Sequence, residues 1–285
     1  MPLRNIVILT SCQLISATGA IVFVTLGGII GSELANNPNL ATLPVSIAIL
    51  SVAASAIPAT LLMKRIGRKH GFSLASISAV VATICAGLAL HMESFSIFIL
   101  AGAMFGINMA FTQQYRYAAA ESVDPQHSPQ AISYVLVGAI GGALVGPELV
   151  KYGQYAVSSV QYLGTLIAIG LLYGIQSILF LTLEPLRGEA EEEIVEEPRS
   201  LIHIARQPLF IIAVLGGVTG YGIMTFIMTA TPLSMHIHDG FGLVETSKVI
   251  RAHVLGMYVP SLFTGHLIKQ FGIVRVMTAG AIVLV

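Results

Sequence analysis

Long apolar runs, each close to the length that a helix needs to cross a lipid bilayer, fill most of this 285-residue chain. A crossing helix takes about 20 predominantly apolar residues. Eight runs meet that length, and they cover residues 5–31, 42–63, 71–91, 94–115, 130–151, 160–183, 208–232 and 248–268. Only helices and closed barrels satisfy every backbone group in lipid, and strand-like alternation is absent from the sequence. The predicted fold class is therefore all-α, a polytopic membrane helical bundle.

The composition separates this chain from soluble domains. Hydrophobic residues make up 55% of it and charged residues 10%, whereas soluble domains carry about a quarter charged residues. The two cysteines, Cys12 and Cys85, lie inside apolar runs without the spacing of a disulfide or zinc site, so we interpret them as packing residues. The first run is too long for a signal peptide and predicts a retained span. A ninth run, from Ile273, has 13 residues, so we expect the chain to end inside a helix.

Lysine and arginine are distributed unevenly between the two sides of the predicted bundle. The side of the amino terminus carries eleven of them: Arg4, Lys64, Arg65, Arg68, Lys69, Arg116, Arg187, Arg199, Arg206, Lys269 and Arg275. The other side carries three: Lys151, Lys248 and Arg251. Short loops rich in these residues face the cytoplasm. We therefore predict an integral, multi-pass membrane protein with a cytoplasmic amino terminus, and we expect it in a bacterial inner (cytoplasmic) membrane.

A basic turn at residues 64–69 recurs, in a fainter form, 205 residues later. The identities between the two copies are Leu62/Leu267, Lys64/Lys269 and Gly67/Gly272. Charges in a short loop cannot enter hydrocarbon, so each copy marks the same membrane face in two halves of the chain. A repeat of this kind predicts a duplicated bundle, the usual construction of secondary transporters.

The repeat divides the chain into three parts. We predict a first six-helix bundle at 1–183, a cytoplasmic linker at 184–207 and an incomplete second bundle at 208–285. The linker holds seven glutamates between Glu184 and Glu197. It is either a regulatory, partner-binding strip or a solvated connector, and the composition favours the connector.

The basic turn resembles the loop signature of the major facilitator superfamily, Gly-x-Leu-x-Asp-Arg-x-Gly-Arg-Lys. The matching positions are Leu62, Arg65, Gly67, Arg68 and Lys69. Thr60 stands in place of the signature glycine and Lys64 in place of its aspartate. The resemblance implies transport by alternating access, with a conformational role for Lys64, Arg65, Gly67, Arg68, Lys69 and Arg116. Because the family's latch uses the aspartate, a loop that only fixes orientation is the alternative.

Span five carries Gly138, Gly142 and Gly146 at four-residue intervals, followed directly by Pro147. This spacing places the glycines on one helix face, where small residues permit close helix approach, and the proline removes a backbone hydrogen bond. The segment is similar to the glycine–proline signature of the family's antiporters, although a valine and a lysine replace its closing glycine pair. The resemblance implies proton-coupled antiport leaning to efflux, with a seam that slides or opens. Close packing alone is the alternative.

Polar side chains inside the spans mark the expected solute path, since each needs a partner or water in hydrocarbon. They are Gln13 and Ser16 in span one, Asn108 and Thr112 in span four, and Tyr221 and Thr225 in span seven. In span four, Asn108, Thr112, Tyr115 and Arg116 are spaced to form one helical stripe. We expect Arg116 near the basic turn, neutralised by Glu121 or by the neighbouring loop. The repeat predicts a solute site near the bilayer midplane, between the halves.

Glu148 is the one carboxylate within the body of a predicted span. A carboxylate held at that depth is a candidate proton carrier near neutral pH. The alternative, which we favour, is an interfacial residue paired with Lys151, one turn away. Three histidines and an aspartate surround the seventh outer loop: His236, His238, Asp239 and His253. Their spacing fits no strong metal motif, so we expect surface histidines and no metal site.

The sequence contains no P-loop and none of the common hydrolase, metalloprotease or thiol-redox motifs. We therefore expect no enzyme and no cofactor, and an ion gradient rather than ATP as the energy source. Nucleic-acid binding is not expected, because the basic residues are spread over short loops. The prediction is a monomeric secondary transporter in a lipid bilayer that moves a small-molecule solute, coupled to a proton or other cation. The alternative is a non-transporting membrane scaffold or a truncated relative of a transporter.

Overall fold

The computed structural model describes residues 3–157, 160–186 and 200–284, and within them every regular element is helical. The helices are α1 (Leu3–Leu34), α2 (Leu43–His91), α3 (Phe95–Thr112), α4 (Tyr115–Glu121), α5 (Ser128–Gly153), α6 (Leu163–Leu181), α7 (Leu201–Ala205), α8 (Pro208–Leu233), α9 (Leu243–Phe271) and α10 (Ile273–Leu284). Each predicted run overlaps a helix, two of the runs share α2, and the all-α prediction is confirmed. Most of the predicted linker, including six of its glutamates, lies outside the described residues.

Six helical stretches of the described chain are long and apolar enough to cross a membrane. One of them, Pro38–His91, contains two of the predicted spans. Helix α9 has 29 residues, enough in length to cross, but it is not among these six and carries Lys248 and Arg251 in its first turns. The protein is therefore an integral, multi-pass membrane protein.

The two basic turns share one backbone conformation. Gly67 has φ 80° and ψ 156°, and Gly272 has φ 81° and ψ 156°. Glycine adopts such positive φ values without the steric cost that a side chain would add. The chain reverses at Gly67. Met63 and Gly71, eight residues apart, would be far from each other in a straight helix, yet the side chain of Met63 lies 2.5 Å from where a Cβ on Gly71 would sit. The predicted six-residue loop thus contracts to one non-helical residue inside α2, and the repeat is visible in the backbone.

The helix ends alternate between two faces of the bundle. The amino-terminal face holds Leu3 and Gly67, and the far face holds His91 and Gly153. Within the first half, α1 packs on α5, and α2 packs on α3 and α6. At the amino-terminal face Arg4 Nη1 lies 2.9 Å from Glu184 Oε1, which fastens the start of the linker to α1.

The two halves meet near the far face and separate toward the amino-terminal face. Ile21 of α1 and Ala143 of α5 form a buried apolar cluster with Ile250 and Val254 of α9. In contrast, residues 208–219 of α8, which lie toward the amino-terminal face, are all exposed. This arrangement leaves a space between the halves at the middle of the spans.

Candidate functional site: a cavity between the two halves

The space between the halves consists of two adjoining pockets of about 280 Å³ and about 130 Å³. Both are lined by Ala17 and Ala20, at the middle of α1, and by Met109, Gln113 and Tyr258. The larger pocket is mostly apolar, and four methionines contribute to its wall: Met109, Met224, Met228 and Met257. The smaller pocket lies toward the amino-terminal face and is more polar. The cavity therefore presents an apolar part and a polar part side by side.

Five of the six residues predicted for the solute path line this cavity. Gln13, Ser16 and Thr112 line the smaller pocket, and Tyr221 and Thr225 line the larger one. They come from both halves, through α1, α3 and α8. That they contact a solute stays a prediction. The sequence interpretation missed the methionine wall, although Met224 and Met228 stand one helical turn apart beside Tyr221 and Thr225.

Asn108 does not line the cavity, and its predicted position is corrected. Its side chain is buried against α2, where Asn108 Nδ2 donates a hydrogen bond to the carbonyl oxygen of Ala75 at 2.9 Å. Successive helix residues point about 100° apart, and the cavity side of α3 is formed by Met109, Thr112 and Gln113. The helix is also interrupted between α3 and α4. The predicted stripe therefore does not continue along one face.

A buried hydrogen-bond network lies behind the smaller pocket. Ser16 Oγ donates to Gln176 Oε1 at 3.1 Å, and Gln176 Nε2 donates to Ser76 Oγ at 2.9 Å and to Tyr115 Oη at 3.2 Å. Leaving such a buried group unpaired is costly, so the network fixes α1, α2, α4 and α6 around the pocket. The sequence interpretation did not single out Gln176. The signal that could have identified it is its side-chain amide in the body of an apolar span.

An ion pair crosses between the halves on the far side of the cavity. Arg251 Nη2 of α9 lies 2.5 Å from Glu148 Oε1 of α5, beside the apolar cluster of Ile21 and Ala143. Glu148 thus forms its ion pair with Arg251 rather than with Lys151 as expected, although Lys151 lies near enough to act on its charge. Lys151 Nζ donates to the hydroxyl of Tyr152 at 3.4 Å. Arg251 reaches Glu148 because α9 packs against α5.

The histidines of the far-face loop do not form a metal site with other described residues. In the described part of the chain, no three His, Cys, Asp or Glu side chains are grouped as metal ligands would be. His236 Nδ1 lies 2.8 Å from the carbonyl oxygen of Phe241, a hydrogen bond that holds the turn after α8.

Comparison with known proteins decides the family. The sequence profile of the Major Facilitator Superfamily matches residues 9–285. The chain belongs to this superfamily. The riboflavin transporter RfnT of Brucella anthropi is 34% identical over 284 residues, covering 99% of this chain and 71% of RfnT. YddS and YdeG, two MFS-type transporters of Bacillus subtilis, are each 28% identical, covering 94% of this chain and 65% of their own length. The chain therefore spans roughly two thirds of the length of these relatives.

The superfamily's loop signature coincides with an ion pair at the amino-terminal face. Arg68 Nε donates to Glu121 Oε2 at 2.7 Å, and a second guanidinium nitrogen of Arg68 bonds Glu121 Oε1. Glu121 is thus bound by a cation of the basic turn. The expectation that Glu121 neutralises Arg116 is wrong, because Arg68 occupies both carboxylate oxygens and Arg116 lines the smaller pocket. The conformational role of the turn stays a prediction.

Charge reversal tests whether this pair holds the turn. Arg68→Glu or Glu121→Arg alone brings like charges together and should cost on the order of 1 kcal/mol, as expected for a partly exposed pair. The double variant should recover the loss, because the pair forms again with reversed sign. The midpoint of thermal unfolding in detergent measures both, with the exposed Arg206→Glu as the control. Single reversals that leave the midpoint unchanged would count against the pair.

The glycine face of the superfamily's span-five signature packs against α1, inside the first half. A Cβ on Gly138 would lie 2.3 Å from the carbonyl oxygen of Thr10, and one on Gly146 would lie 3.0 Å from Ile21. Pro147 lies within α5 and is buried. Other residues of α5, Ala143 and Glu148, contact the second half instead. That the glycine seam slides during transport stays a prediction.

Gly142→Ala is expected to lower the free energy of unfolding by about 1–3 kcal/mol, the usual cost of overpacking. The new Cβ would lie 2.5 Å from the Cβ of Ala17 and 2.8 Å from the backbone nitrogen of Thr18. Gly174→Ala in α6 is the matched control, since a Cβ there meets nothing within 4 Å. It should be neutral or stabilise by up to about 1 kcal/mol. Equal thermal midpoints for the two variants would contradict the close approach of α1 and α5.

Proposed function

We propose that this protein is a secondary transporter that moves a small organic solute across the membrane by alternating access. The observation that carries the proposal is the cavity at the middle of the spans, lined by both halves. Polar groups at that depth are costly unless they pair with another group or line a water-filled path. In a duplicated bundle, rocking one half against the other exposes such a site to each side in turn. The separation of the halves toward the amino-terminal face supports this as one of the two access states.

The proposed solute is riboflavin or a compound with a similar flat heteroaromatic ring. Two observations support it: the 34% identity to a riboflavin transporter, and the wall of the larger pocket. Methionine side chains adapt to irregular shapes, and their sulfur atoms make favourable contacts with aromatic rings. A wall of four methionines with Tyr221 and Tyr258 suits a flat, apolar ring.

Coupling to a proton is proposed through Glu148. A proton and Arg251 compete for the same carboxylate, so proton binding is linked to the closure of the far face. The pair is partly exposed, so breaking it costs little, and a proton can displace Arg251 without a large penalty. The direction is proposed as efflux, on the glycine–proline signature of span five. We further propose a monomer in a bacterial inner membrane, with the amino-terminal face toward the cytoplasm on the lysine and arginine distribution.

Flux of radiolabelled riboflavin in proteoliposomes tests this function in the full-length protein. Tyr221→Ala and Thr225→Val should each reduce counterflow several-fold, because both side chains line the larger pocket. Tyr134→Ala, an exposed tyrosine of α5, is the matched control and should retain wild-type flux. Unchanged flux in both cavity variants would remove these residues from the site. A wild-type protein that binds solute without transporting it would favour the membrane-scaffold alternative.

A further inference from the structure

Arg116 lines the smaller pocket without a charged partner among the described residues. The nearest carboxylate along the chain, Glu121, uses both of its oxygens to bind Arg68. The guanidinium carbon of Arg116 lies 5.2 Å from the centre of the Tyr117 ring, and the Arg116 side chain is exposed at the mouth of the pocket. A guanidinium carries five N–H donors in a planar fork. The pocket therefore holds a cation whose hydrogen-bonding capacity is not consumed by the described protein.

Two side-chain amides accompany Arg116. Gln13 and Gln113 line the same pocket, and neither side chain bonds to another described residue. The hydroxyls of the pocket differ: Ser16 donates to Gln176, Thr112 donates to the carbonyl oxygen of Asn108, and the third hydroxyl, of Tyr258, is not free either. The free donors of the pocket are thus concentrated in one guanidinium and two amides. A ligand that binds all three side chains would present several acceptor atoms to them.

We propose that Arg116, together with Gln13 and Gln113, binds the acceptor atoms at one edge of a flat heteroaromatic solute. For a flavin ring the pair that faces Arg116 is a carbonyl oxygen of the pyrimidinedione ring and the adjacent unprotonated ring nitrogen, with the rest of the ring against the methionines of the larger pocket. The planar fork of arginine matches two coplanar acceptors, which a lysine cannot do. The hydroxyls of the ribityl chain donate as well as accept, so they have less need of a cation. This assignment rests on the proposed function and adds the orientation of the solute to it.

Quenching of flavin fluorescence on binding to the purified full-length protein tests the assignment. The probes are riboflavin, lumiflavin, which has the ring without the ribityl chain, and flavin mononucleotide, which adds a phosphate. Arg116→Met should raise the Kd for riboflavin and lumiflavin by the same factor, roughly tenfold or more. The Kd of Arg116→Lys should lie between those of the wild type and Arg116→Met, since lysine keeps the charge but lacks the planar fork. Arg206→Met, an exposed arginine on the same face, is the control, and all variants should unfold at the wild-type temperature.

The outcomes separate the contacts that Arg116 could make. A loss for riboflavin with none for lumiflavin would place Arg116 on the ribityl chain and overturn the assignment. A loss confined to flavin mononucleotide would place it on the phosphate and overturn it equally. Unchanged affinities, in a protein whose wild type binds flavins, would overturn the assignment and leave the proposed function standing. A wild type that binds none of the three probes would overturn the proposed solute and the assignment with it.

Discussion

Glu148→Gln is expected to abolish solute accumulation driven by a pH gradient while solute exchange across the membrane continues. Glutamine keeps the shape of glutamate but neither titrates nor holds the charge of Arg251, which lies 2.5 Å from Glu148. Removing one member of this partly exposed ion pair also removes the charge that links a proton to the contact between the halves. The steady-state solute gradient in proteoliposomes should therefore fall roughly tenfold or more, because gradients depend exponentially on coupling energy. Counterflow, which needs no net proton movement, should persist.

Two companion variants make this result specific. Lys151→Gln removes a cation one turn away that pairs with Tyr152 rather than with Glu148, so it should retain coupled transport. The exchange variant Glu148→Arg/Arg251→Glu restores a pair between the halves and should recover thermal stability lost in either single variant. An undiminished response of Glu148→Gln to the pH gradient would remove Glu148 from the coupling mechanism.

Ala20→Phe is expected to stop transport nearly completely. Ala20 lies at the middle of α1 and lines both pockets, so a benzyl group there would occupy the volume in which the solute is proposed to bind. The new ring enters open space rather than the packed core, and the unfolding temperature should therefore change little. Counterflow of riboflavin and its binding to the purified protein measure the effect, and both should be lost together.

The control for added bulk is Leu171→Phe, on the exposed face of α6. It enlarges a side chain at a similar membrane depth without touching the cavity, so flux should stay at the wild-type level. Normal flux in Ala20→Phe would show that solute does not pass between the halves at this position.

The helices and their turns could be predicted because their causes are local. Bilayer thickness sets the length of each apolar run, and a turn with positive φ calls for glycine, as at Gly67 and Gly272. Polar residues within apolar runs also indicated part of the cavity lining in α1 and α8, since each is conspicuous along one segment. Gln13, Tyr221 and Thr225 were found in this way.

Rotation about a helix axis and pairing between distant helices could not be predicted. Whether Asn108 faces the cavity or α2 depends on which neighbour α3 packs against, and no local pattern records that choice. Glu121 had two arginines within reach, and only the fold brings Arg68 to it. Glu148 and Arg251 are 103 residues apart and lie in different halves. Their contact depends on how the halves meet.

A reversible cross-link across the far face tests the central claim of alternating access most directly. A Cβ on Gly28 of α1 would lie 3.9 Å from the Cβ of Leu233 of α8, within the usual range for a disulfide. Gly28→Cys/Leu233→Cys, in a full-length background with Cys12→Ala and Cys85→Ala, should bind riboflavin when oxidised but not transport it. Reduction should restore flux. Undiminished flux with the cross-link fully formed would contradict the account.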